Sequence, residues 1–136
     1  MRIGFQVGGS GDSRAWLQPM LDALTAINLR YLDAHPSAPS IYSGAVRYVA
    51  ELPGREEWRD LPTILSSGVG DCEDLATARA AELQARGVRA RAVPRIVSRR
   101  PAIGGGTAEL VHIVVRHPDG SIEDPSLALG MPPGPA

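Results

Sequence analysis

The sequence predicts an α+β domain, and three observations carry that reading. Apolar residues recur at helical spacing early in the chain, at Trp16, Met20, Leu24, Ile27 and Tyr31. A second helical segment starts after the glycine-rich stretch Gly68-Val69-Gly70 and stops at Gly87. Beyond Gly87 the period changes to two in Val88-Arg89-Ala90-Arg91-Ala92-Val93, and Leu110 to Arg116 is β-branched. Helices followed by a helix that feeds an antiparallel sheet define the α+β class.

Each element has its own warrant. Asp12 or Ser13 is placed to cap the first helix, and Pro19 falls early enough in it to be tolerated. His35-Pro36-Ser37-Ala38-Pro39-Ser40 ends it. Ile41 to Leu52 fits either a short helix or an extended arm. Leu61 to Leu65 reads as a helical turn around Pro62. Asp71 is an N-cap, and Asp74, three residues on, completes an acidic capping box. The helix from Cys72 to about Arg86 buries Leu75, Ala76, Ala80 and Leu83. Ser98 to Thr107 reads as a long loop centred on Gly104-Gly105-Gly106. His117-Pro118-Asp119-Gly120 is a turn, so 110–124 is expected to be a hairpin. The tail from Met131 is expected to be irregular.

Composition narrows the function. The chain has 136 residues, enough for one domain with a real core. No internal repeat or boundary divides it. A net charge of -1 gives no reason to expect nucleic acid or an anionic membrane as partner. All 14 basic residues are arginine, which excludes lysine chemistry. The N-terminus lacks the apolar stretch of a signal peptide, and no run approaches the ~18 apolar residues of a membrane span. A cytoplasmic location is the expectation, with a virion-associated one as the alternative, and one cysteine suits a reducing compartment.

That cysteine, Cys72, sits at the predicted start of a helix. There the free N–H groups and the helix dipole favour the thiolate, and the backbone N–H of Cys72 can donate to an oxyanion. Asp71, Glu73 and Asp74 oppose the thiolate unless their side chains turn away. His112 lies inside the apolar run Leu110-Val111-His112-Ile113-Val114-Val115 and is the candidate base. If the hairpin loop has three or five residues, His112 pairs with Asp124 at roughly 5 Å, and Asp124 orients the imidazole. A register shifted by one residue puts them on opposite faces. Taken singly, Cys72 and His112 also fit buried structural roles, and Asp124 a turn carboxylate. Cys72, His112 and Asp124 lack the close ligand pairs of a metal site, so neither metal nor cofactor is expected. The triple glycine does not lead a strand into a helix, so it is not a phosphate loop; it reads as a hinge or flexible cover near His112, or as a slack loop. Arg99-Arg100 is either a solvated pair or an attraction for an acidic substrate.

Gly70-Asp71-Cys72-Glu73-Asp74-Leu75-Ala76, then Gly87-Val88-Arg89-Ala90-Arg91, Val111-His112-Ile113-Val114-Val115, Asp119-Gly120 and Asp124-Pro125-Ser126 together resemble the transglutaminase-like branch of the papain-like superfamily. The resemblance covers about residues 58–131, with 1–57 an N-terminal helical part and 132–136 a tail. A weaker likeness to small bacterial and phage proteins of this type extends through Ile41-Tyr42, Val46-Arg47-Tyr48 and Glu57-Trp58. The resemblance implies a Cys-bearing helix packed on a small antiparallel sheet. It implies Cys72 as nucleophile, His112 as general base and acid, and Asp124 as orienter. It also implies a second oxyanion donor upstream of the cysteine. Gln18, Trp58 and Gln6 are candidates, although none lies in a matching motif.

The expected function is a cysteine peptidase or amidase that cleaves a peptide or isopeptide bond through an acyl-enzyme. The alternative is a non-catalytic binding or assembly domain on the same fold, with phage structural proteins as possible partners. A transamidase or acyltransferase ranks lower, because nothing suggests an amine site and the Arg-Gly-Gly approach of arylamine acetyltransferases is missing.

Overall fold

A computed structural model describes residues 2–4, 15–51, 57–101 and 103–133. The elements run β1 (Arg2–Gly4), α1 (Leu17–Ala34), β2 (Arg47–Tyr48), β3 (Glu57–Arg59), α2 (Leu61–Ser67) and β4 (Val69–Gly70). They continue with α3 (Cys72–Ala85), β5 (Arg91–Pro101), β6 (Thr107–Arg116), β7 (Ile122–Glu123) and α4 (Pro125–Ala128). The fold is mixed α+β, as the order of periods predicted. No helix among the described residues is long and apolar enough to cross a membrane.

α3 is the centre. Its buried residues run almost without a break from Glu73 to Leu83, Arg79 excepted, so it has no wet face of the usual kind. One side meets Leu21 and Leu24 of α1, Trp58 of β3, and Ala92, Ile113 and Val115 of the β5–β6 pair. The other side meets Ile41, Val46, Leu61 and Ile64. Neighbours on both sides explain the alanines: small side chains let backbones approach from two directions while Leu75 and Leu83 fill the gaps. Asp71 and Asp74 form the expected capping box, with Asp71 N–H donating to Asp74 Oδ2 at 3.2 Å. Gly87 follows the helix at a φ of 83°, a conformation open to glycine and strained for other residues.

α1 ends where the sequence predicted, but the expected cap at Asp12 or Ser13 lies outside the described residues. Its buried line is Leu21, Leu24, Thr25 and Asn28, rotated from the stripe of apolar residues. Two polar residues turn it. The Thr25 hydroxyl donates to the Leu21 carbonyl, and Asn28 Oδ1 accepts from the Leu61 N–H at 2.8 Å. Asn28 thereby satisfies a donor at the start of α2 that the helix itself cannot. Asp60 caps the same helix, accepting from the Thr63 N–H.

The segment after α1 is an arm. A single 3-10 turn at Ile41–Ser43, capped by Ser40 Oγ, leads to β2, which pairs in parallel with β4. This brings Tyr48 beside Gly70 at the entrance to α3.

The sheet β5-β6-β7 is antiparallel. Ser98 to Thr107 is not the loop the sequence suggested. β5 runs on to Pro101 and pairs with Thr107 of β6 through a bulge between Ile96 and Ser98. The bulge absorbs the break in alternation that reads as loop. Gly104, Gly105 and Gly106 all have positive φ and turn the hairpin. Five residues of strand, about 17 Å, separate Thr107 from His112, so the glycines are no cover for that histidine.

Asn28→Ala strands the Leu61 N–H in the core without an acceptor. It should cost about 2 kcal/mol, read as a lowered urea midpoint at unchanged slope; an unchanged midpoint would show that water replaces the lost contact.

Candidate active site

Three elements meet at the start of α3. β6 supplies His112, the segment leaving β7 supplies Asp124, and α3 opens on Cys72. His112 Nε2 lies 2.8 Å from Asp124 Oδ2. An ionised carboxylate only accepts, so Nε2 carries a proton, and in the neutral ring the lone pair is on Nδ1. The second Asp124 oxygen accepts from the Leu127 N–H at 3.2 Å, capping α4. With both oxygens engaged, the carboxylate has one orientation.

The pairing reaches this arrangement by a different register from the direct one. Val115 faces Glu123 and Arg116 faces Ile122, so the five-residue loop is 117–121. Continuing that register puts Asp124 across from Val114, and His112 lies two residues further along the same face. It is a diagonal neighbour, which long side chains still bridge. The parity assumed from sequence holds, while the assumption of direct opposition is corrected.

The backbone N–H of Ile113, the residue after His112, is near enough to the Cys72 sulfur to favour its thiolate. The start of α3 and the β6 backbone therefore adjoin at Cys72 and Ile113, and the His112–Asp124 pair stands on the neighbouring residue of the same strand. The state of the thiol is the reverse of what a helix N-terminus predicts. Burial raises its pKa first, and the charges of Glu73 and Asp71 raise it further. The acids do not turn away: the thiol donates to Glu73 Oε2 at 3.4 Å. Cys72 therefore rests as a neutral thiol.

The acids themselves are unusual. Asp71 and Glu73 are over nine-tenths buried and Asp74 is fully buried. Burial pushes Asp71 up to about 9, with its contact to Glu73 and the Glu73 and Glu51 charges adding to it. Burial likewise raises Asp74 to about 8 and Glu73 to about 7. Burial and the neighbouring Glu73 both favour the protonated form of Asp71, and no N–H or O–H donor among the described residues faces its Oδ1. Arg59 answers part of the charge. Its N–H donates to Asp74 Oδ1 at 2.7 Å, and its guanidinium lies 3.4 Å from Glu51 and 3.7 Å from Asp74. Glu51, Asp71 and Glu73 each offer an oxygen within 4.8 Å of the others, the one grouping among the described residues with the reach to hold a cation. Tyr48 overlooks the site. Burial raises its phenol, and the charges of Cys72, Asp71, Glu73 and Asp124 raise it further.

The proposed oxyanion donors fall in different places. Gln18 Nε2 donates to Asp22 Oδ1 at 3.0 Å and to the Ala92 carbonyl at 2.9 Å, so both amide hydrogens are used between α1 and β5. Trp58 lies in the core cluster against which Cys72 packs, its ring 6.4 Å from that of Trp16. Gln6 lies outside the described residues. Sequence reasoning passed over Tyr48 and Glu51, because the stretch 41–52 has no periodicity to assign. It saw Glu73 but not where its carboxylate points. Set against models of protein families, curated proteins and solved structures, the chain finds no match.

Carboxyls whose folded pKa is raised make the folded state bind extra protons. Their contribution is fully present below the unfolded values near roughly 4 and is lost as pH rises through the folded values. Stability from urea unfolding should therefore fall between about pH 5 and pH 9, the range spanned by Glu73, Asp74 and Asp71. Asp71→Asn, which keeps a capping side chain, should flatten that slope and add about 1–2 kcal/mol at pH 8. A slope identical to that of the unsubstituted protein would refute the raised pKa of Asp71.

Proposed function

We propose that the chain is a cysteine hydrolase of transglutaminase-like type, cleaving the amide of a peptide or isopeptide. The observation that carries this reading is the 2.8 Å bond between His112 Nε2 and Asp124, together with a thiol at the start of the helix that packs against the same strand. With Nε2–H held by Asp124, Nδ1 is the basic nitrogen. It takes the Cys72 proton as the sulfur attacks the carbonyl carbon. The carbonyl electrons move to oxygen, and the Cys72 N–H at the helix start can donate a hydrogen bond to that oxyanion. As the tetrahedral species collapses, the C–N bond breaks and the imidazolium gives its proton to the leaving amine. Water, deprotonated by His112, then releases the acid and restores the thiol. A neutral resting thiol means that proton transfer accompanies attack, and activity rises with pH until the thiol or its acidic neighbours have titrated.

A second reading, a binding or assembly domain on the same fold, draws support from the thiol's bond to Glu73 and from its raised pKa. Peptide vinyl sulfones of varied sequence separate the two. Hydrolase chemistry predicts one adduct, on Cys72, formed at least tenfold faster than on free cysteine for some peptide. His112→Ala should slow it about 100-fold, as followed by intact-mass spectrometry. Labelling at the free-thiol rate or below for every peptide, and equal in His112→Ala, would favour the binding reading.

A further inference from the structure

Behind the site lies a second polar assembly that the proposed chemistry does not use, centred on Glu123. Its Oε2 accepts from the Tyr42 hydroxyl at 2.6 Å and from Arg79 Nε at 2.7 Å. Its Oε1 lies 2.9 Å from His117 Nε2. Donors from the arm after α1, from α3 and from the hairpin turn thus converge on one carboxylate. Arg79 is held in turn. Its Nη1 is 3.3 Å from Glu82, its guanidinium lies 4.9 Å over the Tyr42 ring, and Glu82 accepts from Ser40 Oγ and the Ile41 N–H.

The placement of these residues is what matters. Arg79 follows Cys72 by seven residues, nearly two full turns, so both project from the same side of α3. Glu123 precedes Asp124, and alternation along a strand sends the two side chains to opposite faces. Glu123 therefore reaches α3 while Asp124 reaches His112. β7 is only two residues long, and its ladder to β6 gives Asp124 little support. The hydrogen bonds from Tyr42, Arg79 and His117 keep Glu123 ionised despite partial burial, and Arg79 gains basicity from the same contact.

We propose that Glu123 is a positioning residue: through Arg79 it locks the strand end bearing Asp124 to the helix bearing Cys72, and so sets the His112–Asp124 pair against the thiol. This rests on the hydrolase reading for its catalytic consequence, but not for the geometry.

Glu123→Gln removes the charge while keeping the shape. Long-range 1H–15N spectra of the imidazoles should show His112 as a single Nε2–H tautomer in the unsubstituted protein. In the variant it should become a mixture of tautomers, with far-ultraviolet dichroism unchanged. Vinyl sulfone labelling of Cys72 should fall about tenfold, with a changed dependence on pH. Should Glu123→Gln not fold, Tyr42→Phe deletes one donor from a half-exposed side chain, and a fall of about threefold with the same change in the His112 spectrum is expected. An unaltered His112 tautomer in the folded variants overturns the proposal, whatever the labelling does. A variant that mixes the tautomers of a protein whose Cys72 never labels leaves the positioning role standing and removes the hydrolase reading.

Discussion

The first turn of α3 has to be buried while it carries three carboxyls, and the rest of the site is arranged around that requirement. Asp74 is fully buried, yet its two oxygens take the Asp71 and Arg59 N–H groups. An unpaired carboxylate there would cost several kcal/mol. Three things offset the cost: the free N–H groups and dipole of the helix start, the Arg59 guanidinium, and protons retained by the acids. Arg59 arrives on β3, and Glu51 comes with the arm ahead of it. The same packing forms the core, since Trp58, next to Arg59, sits among the side chains of α1 and α3.

This arrangement has a direct consequence for chemistry. A helix N-terminus lowers a thiol pKa only where its field reaches the sulfur without competing anions. Here burial of the sulfur raises its pKa, and the neighbouring Glu73 and Asp71 carboxyls raise it further. The imidazole differs: one ring nitrogen is tied to a carboxylate with both oxygens engaged. The site pairs an oriented base with a protonated nucleophile. That combination suits proton transfer during attack rather than a standing thiolate–imidazolium pair.

Much of this was legible in the sequence wherever the deciding contacts are local. The capping box, the stop at Gly87 and the β6–β7 hairpin each depend on residues within a few positions of one another. So does α4, which Asp124-Pro125 announces as N-cap and first-turn proline and which the sequence reading nonetheless passed over. What escaped depends on distant partners. The buried face of α1 turned toward Thr25 and Asn28 because Asn28 meets Leu61, thirty-three residues away. The glycine loop shrank because β5 and β6 pair across a bulge. The hairpin loop has the expected length, but its centre lies one residue later, which turns a direct pair into a diagonal one.

The sequence by itself determined the α+β class and the helix that begins at Cys72, and it offered His112 and Asp124 as partners on a hairpin whose register it left open. Capping, glycine stops and period-two alternation act over short stretches and leave a readable pattern. Only the tertiary structure decided that Glu73 points at the thiol, that the acids keep protons, and that Glu123 joins the hairpin to α3. Those outcomes depend on burial and on charges brought together from separate segments, and the energy of a carboxyl changes far more with its surroundings than with its neighbours in the chain.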